Sequence, residues 1–194
     1  MSAFPRLFVM RHGQTEWNAA RRMQGWRDSA LTDQGVAEAL RQRNILSGCD
    51  LTGCTAISSP QVRALHTAAL ALQGLVHEIR TDERLKEIGV GEWTGMTADQ
   101  LELRGATFGD DSGSLLHYDR APGGEGFEAL YRRCKAFLDD LRGPAILVTH
   151  GVTSRMLRLI VLGRAIRELD DIPGGQGVVY HLEDGRQQCL PIGT

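Results

Sequence analysis

The sequence predicts a three-layer α/β/α sandwich around a mostly parallel, doubly wound sheet. Short continuous apolar runs, Leu7–Met10 and Ala145–Thr149, read as strands buried on both faces. Segments of helical spacing alternate with them, which implies strands joined by crossover helices. The length of 194 residues, with 42% hydrophobic and 24% charged residues, fits one domain spanning 1–194.

Each element can be justified in turn. Leu7-Phe8-Val9-Met10 is the first strand. After an irregular stretch, Thr32 caps a helix from about Asp33 to Leu46, although its periodicity is weak. Thr55-Ala56-Ile57-Ser58 is a second strand. Ser59 as N-cap and Pro60 as first helical residue open the next helix, with Val62, Leu65, Ala69 and Leu72 as its apolar stripe. His77 to Thr81 is a third strand. The mixed, glycine-punctuated segment from about Met96 to Ala121 is an insertion over the site, with a helix near its start.

Pro122-Gly123-Gly124 turns the chain into a helix that buries Phe127, Leu130, Cys134, Phe137 and Leu141 and ends at Gly143-Pro144. The strand Ala145–Thr149 and a helix from Val152 to Leu162 follow. Val178–Leu182, Asp184-Gly185 and Arg186–Leu190 form a terminal hairpin with a two-residue turn.

Composition excludes several classes. The formal net charge of −2 lacks the basic excess of a nucleic-acid binder. No apolar run is long enough for a membrane span, and Leu7–Met10 is too short for a signal-peptide core. Cys49, Cys54, Cys134 and Cys189 form no C-x-x-C pair and read as reduced thiols of a cytoplasmic protein. The histidines lack metal-ligand spacing, so no metal is expected. Only Lys86 and Lys135 of the 22 basic residues are lysine; the rest are arginine, the side chain suited to bidentate oxyanion recognition.

In a doubly wound sheet the ligand site lies beyond the carboxyl ends of the strands. Arg11-His12-Gly13 ends the first strand, and His150-Gly151 ends the strand before the Val152 helix. Ser58-Ser59 ends the second strand, and Arg63 sits in the first turn of the helix after it. Helical side chains lean toward the N-terminus, so Arg63 points back at the same rim. Two arginines and two histidines converging there suit a phosphate dianion. The guanidinium forks take the oxygens and an unprotonated imidazole attacks.

These blocks resemble the histidine phosphatase (phosphoglycerate-mutase-like) superfamily. The resemblance rests on Val9-Met10-Arg11-His12-Gly13-Gln14-Thr15-Glu16-Trp17-Asn18 with Gln24-Gly25 and Leu31-Thr32-Asp33-Gln34-Gly35. It continues through Ser58-Ser59-Pro60-Gln61-Val62-Arg63-Ala64, Leu85-Lys86-Glu87-Ile88-Gly89, Pro122-Gly123-Gly124-Glu125 and Val148-Thr149-His150-Gly151. It implies that His12 becomes a phosphohistidine. Arg11, Arg63 and His150 complete the phosphate pocket, and Glu87 protonates the leaving oxygen. Asn18, Gln24, Gly25 and Gly151 stand near the substrate. Glu16, Glu92 and Glu125 are competing carboxylates with ordinary surface or helix-terminus readings.

The resemblance covers phosphatases and mutases. A mutase needs extra cations for its substrate's carboxylate, and the insertion offers only the separated Arg104 and Arg120. Val90 stands where those mutases carry an aromatic residue, and Val152 where they carry Asn. The expected activity is therefore hydrolysis of a small phosphorylated metabolite, without nucleic-acid or membrane partners and with no cofactor. A 2,3-bisphosphoglycerate-dependent mutase is the first alternative and a non-catalytic phospho-ligand binder the second. The oligomeric state stays open, a homodimer being one option.

Overall fold

The two central strands of the sheet come from its most continuously apolar segments, residues 7–10 and 145–148. In the computed structural model, which describes residues 4–104 and 115–191, β1 is Leu7–Arg11 and β2 is Thr55–Ser58. The next two are β3 (Ile79–Thr81) and β4 (Ala145–Thr149). All five residues of β4 are buried, and so are the first four of β1. The terminal hairpin adds β5 (Val179–Glu183) and β6 (Arg186–Leu190). The strand order is β3-β2-β4-β1-β5-β6. The first four are parallel, whereas β5 and β6 run antiparallel at the β1 edge, so the sheet is mixed. Asp184 and Gly185 both take positive φ, 49° and 69°, as the two-residue hairpin turn requires.

β1 and β4 lie side by side, pairing Arg11 with Thr149. His12 N–H continues the ladder by donating to Thr149 O at 2.9 Å. The two histidines that follow these strands therefore emerge at one place on the rim. This register follows from placing the two most apolar segments at the sheet centre.

The helices are α1 (Glu16–Ala19), α2 (Asp33–Ser47), α3 (Val62–Leu72), α4 (Ala98–Glu102), α5 (Leu116–Asp119), α6 (Phe127–Asp140) and α7 (Gly151–Val161). Two apolar clusters fill the layers. Phe8, Met10, Ile146 and Val148 face Leu46, Ala64, Ala68 and Leu72 on one side. Leu7, Val9 and Leu147 face Phe127, Phe137, Met156 and Leu159 on the other.

Two local expectations need correcting. Ser59 does not cap α3, which begins at Val62 after Gln61. Asp28 takes that part from a distant loop, its carboxylate accepting from Val62 N at 3.0 Å and Arg63 N at 3.3 Å. The buried stripe of α3 is Ala64, Thr67, Ala68, Ala71 and Leu72 with Arg63, while Val62 is 65% exposed. Alanines allow close approach to sheet and α2, whereas counting only large aliphatic residues picks a neighbouring face.

The weak period of α2 also has a cause. Its inner face is partly polar because Glu38 accepts from Gln14 N, and Gln42 donates to Arg11 O and Val178 O. α6 stops at Asp140, before Gly143-Pro144, and a short helix, α4, does open the insertion. Much of that insertion, 105–114, lies outside the described residues. Among the described residues no helix is long and apolar enough to cross a membrane, and no cluster of His, Cys, Asp and Glu could hold a metal ion.

Candidate active site

His12 is held by its own loop. Its Nδ1 lies 2.7 Å from Gly13 O, and a carbonyl can only accept, so Nδ1 carries the hydrogen. Nε2 therefore presents a lone pair, toward which Arg63 Nε–H donates at 3.2 Å. The side chain is 2% exposed. Burial first, then the charges of Arg11 and Arg63, push this imidazole well below its usual range, while the Gly13 contact pulls weakly the other way. His12 stays neutral, as a nitrogen nucleophile must.

Gly13 is needed for a close approach. A Cβ there would lie 2.2 Å from Gly35 O, a backbone atom of α2. Gly13 N–H donates to Thr67 Oγ1 on α3 at 3.0 Å, joining the loop to two helices.

His150 stands edge-on to His12, with ring centroids 5.1 Å apart and planes at 60°. Its Nε2 is 2.7 Å from Ser59 Oγ. Gln61 N–H donates to the same oxygen at 3.3 Å, so the Ser59 hydroxyl hydrogen is free to go to Nε2. His150 Nδ1 is buried without a partner. His150 is also neutral: burial, then Arg63, His12 and Arg11, lower it well below the imidazole range. The site thus pairs the His12 Nε2 lone pair with a second neutral imidazole whose Nδ1 is unpartnered.

Arg63 is 1% exposed and mostly occupied. One terminal nitrogen donates to Arg27 O at 2.6 Å and Asp28 Oδ1 at 2.8 Å, and the other to Gly25 O at 2.9 Å. The sequence suggests a fork open to phosphate; the structure anchors the fork and turns the Nε edge toward His12. Arg11 differs, because its Nε is buried with no partner. Its guanidinium lies over Gly151, where a Cβ would come within 3.4 Å of Arg11 Cζ and 3.5 Å of Glu87 Oε2.

Glu87 sits at the N-terminus of α7. Its carboxylate accepts from Val152 N at 3.2 Å and Thr153 N at 3.1 Å, and from the Thr153 hydroxyl at 3.1 Å. Its backbone is braced too. Glu87 N donates to Gln61 Oε1 at 2.8 Å, and Glu87 O accepts from Trp26 Nε1 at 2.9 Å and from Arg133 at 3.2 Å. Glu125, a rival carboxylate by sequence, is committed to Arg133 at 2.5 Å and to Gly89 N.

The structure brings Arg11, His12, Arg63, Glu87, His150 and Gly151 together. The other sequence candidates serve the loop around them. Gln24 is spent on Thr15 and Ser29, and Gly25 supplies its carbonyl to Arg63 and Gln61. Asn18 Oδ1 accepts from Thr15 N and from Gln176, which also donates to His12 O at 3.1 Å. Sequence reasoning misses Ser59, Gln61, Asp28 and Gln176, whose partners lie far along the chain.

The comparisons with known proteins agree with this geometry. The family model of the histidine phosphatase superfamily (branch 1) matches residues 7–190. A 2,3-bisphosphoglycerate-dependent phosphoglycerate mutase of Azorhizobium caulinodans is 34% identical over 192 residues, covering 91% of each chain. The structure of an alpha-ribazole phosphatase from Shigella flexneri superposes with a TM-score of 0.78 at 23% identity, covering 96% of this chain and 95% of that one. A mycobacterial glucosyl-3-phosphoglycerate phosphatase gives 0.77 at 24%, covering 98% and 100%; both likenesses establish the fold. On the family match and the mutase identity, this chain belongs to the histidine phosphatase superfamily.

Proposed function

We propose that the protein is a phosphomonoester hydrolase acting through a phosphohistidine on a small phosphorylated metabolite. The carrying observation is the His12 Nε2 lone pair, fixed by the Gly13 carbonyl and facing Arg63 and His150 in a buried site. Nε2 attacks phosphorus as the ester P–O bond breaks, and Glu87 gives a proton to the departing alkoxide. Water then attacks the phosphohistidine, losing a proton to Glu87 and restoring His12. Arg11, the Arg63 edge and His150 Nδ1–H stabilise charge on the equatorial oxygens. No metal or resident cofactor takes part in this scheme.

A mutase reading is favoured by the naming of the 34%-identical relative. Against it, Val90 is buried beneath Gly25 rather than offering an aromatic face, and Arg104 and Arg120 are both exposed. Hydrolysis of a phosphometabolite panel, with and without 2,3-bisphosphoglycerate, separates the two. His12→Ala should abolish both p-nitrophenyl phosphate turnover and phosphoenzyme labelling, while phosphate still binds through the arginines. Labelling that persists in that variant refutes His12 as nucleophile. Absence of any turnover in the wild type favours a phospho-ligand binder.

A further inference from the structure

We propose that Arg155, together with Arg11, forms a second anion subsite beside the phosphate pocket, so that the alcohol released by the enzyme itself carries an anionic group. The proposal deepens the hydrolase reading and rests on it.

Arg155 lies on α7 four residues after Gly151, the residue over which the Arg11 guanidinium packs. Side chains on a helix lean toward its N-terminus, which brings Arg155 up toward the Arg11 side of the site. The chain makes room for it: a Cβ on Gly174 would lie 2.4 Å from an Arg155 terminal nitrogen and 2.8 Å from its Cζ. The Nε atoms of Arg11 and Arg155 are both buried without hydrogen-bond partners. Among the described residues neither guanidinium forms an ion pair.

Arg158, one turn further on, shows what a structural arginine looks like in this fold. It donates to Ser154 O, Gln187 Oε1 and Pro173 O, and its guanidinium stacks 3.8 Å from the Tyr180 ring centre. Arg155 has none of these satisfactions. Two partly buried cations without carboxylates are costly unless an anion joins them.

Electrostatics locates the subsite. Burial lowers Arg155, and the next cause is repulsion from Arg11; Asp170 is the weakest of the opposing influences. Arg155 shares the Gly151 face of α7, the face that meets the Arg11 guanidinium and Glu87 Oε2. Tyr118 belongs to that side. Burial and then the Glu87 charge lift its phenol to about 12, and Arg11 and Arg155 act on it too. It stays a hydroxyl donor within reach of these charges. On the hydrolase reading the ester oxygen departs at Glu87, which meets Gly151 beside Arg11, so the group attached to it leaves along the α7 face that carries Arg155. A carboxylate or a second phosphate would satisfy Arg155, with Arg11 standing between it and the transferred phosphoryl group.

Matched substrates test this. 3-Phosphoglycerate and glycerol 3-phosphate differ only in a carboxylate, while fructose 1,6-bisphosphate and fructose 6-phosphate differ only in a second phosphate. The wild type should prefer one anionic member by about ten-fold or more in kcat/KM, and the preferred pair identifies the source of the charge. Arg155→Gln should lower that ratio about 10- to 100-fold, the effect of losing a charge-assisted hydrogen bond. Gly174→Ala, which displaces the guanidinium and keeps its charge, should lower the same ratio if Arg155→Gln does not fold.

Equal wild-type rates within both pairs overturn the subsite and leave the hydrolase reading intact. A loss in Arg155→Gln that is equal for both members of the preferred pair also overturns it. If the wild type hydrolyses none of the four, the subsite is read from calorimetric dissociation constants of the same pairs, where equal values overturn it; the hydrolase reading fails only if p-nitrophenyl phosphate is not turned over either.

Discussion

Ser59→Ala isolates the device that sets the second histidine. Ser59 Oγ and His150 Nε2 are 2.7 Å apart, and both side chains are fully buried. Ser59 Oγ accepts from Gln61 N–H and keeps its own hydrogen for His150 Nε2; in the proposed mechanism that hydrogen bond holds the His150 hydrogen on Nδ1. Removing the hydroxyl has two effects of different size. Nε2 becomes a buried acceptor with no donor, which costs about 1–3 kcal/mol of stability. The bias between tautomers also falls by the net worth of one neutral hydrogen bond, about 0.5–1.5 kcal/mol. That corresponds to a loss of about 2- to 10-fold in kcat/KM, since each 1.4 kcal/mol is ten-fold. Steady-state kinetics with p-nitrophenyl phosphate and urea denaturation read the two effects separately. NMR of nitrogen-labelled histidine reads the tautomer directly, and Ser59→Thr should retain it. A thousand-fold loss would make Ser59 a participant in the chemistry. An unchanged Nδ1–H signal in Ser59→Ala would refute the reasoning.

Two further outcomes concern stability. His12 and His150 stay neutral when folded, whereas unfolded imidazoles titrate near ~6.5. Below that pH the unfolded chain binds protons that the native state refuses. Stability is therefore full above about pH 6.5 and falls as pH drops, by up to about 2.7 kcal/mol per unit for the pair, until the native imidazoles protonate. Urea melts between pH 7.5 and 5.5 measure that slope, and a flat profile contradicts it. Gly13→Ala should destabilise by about 3 kcal/mol or more, because its Cβ meets the Gly35 carbonyl at 2.2 Å and neither atom belongs to a rotatable side chain. A change under about 1 kcal/mol in chemical denaturation would mean that the two glycine segments separate easily.

What the sequence discloses is whatever repeats locally or stands at a predictable end. The central strands are legible because burial on both faces makes them continuously apolar, and the rim residues follow from strand ends. The antiparallel hairpin is legible from Asp184-Gly185. The buried face of α3 is not, because alanine is too small to dominate a pattern, although its smallness permits the close packing. Asp28 as the α3 cap and Ser59 as the His150 partner are also hidden. Both pairings cross long stretches of chain, and a short polar residue in a loop carries no sign of its partner. The anchoring of Arg63 is hidden for the same reason: its acceptors are the distant Asp28 carboxylate and the backbone carbonyls of Gly25 and Arg27, which no local pattern encodes.

That anchoring decides how the site achieves precision. An arginine free to swing toward phosphate would spend conformational entropy at each encounter, whereas Arg63 is already fixed by three acceptors before substrate arrives. Gln61 extends the same frame, donating to Gly25 O and accepting from Glu87 N, so the loop that holds the arginine also holds the proposed acid. Arg133 ties Glu87 O and Arg84 O to Glu125 from the opposite side. The proposed nucleophile, cation and acid thus depend on one continuous polar network. Arg11 and Arg155 differ, each with a buried Nε that has no partner among the described residues. In the proposed hydrolase the fixed part would recognise what all phosphomonoesters share, and the Arg11–Arg155 pair would tell one ester from another.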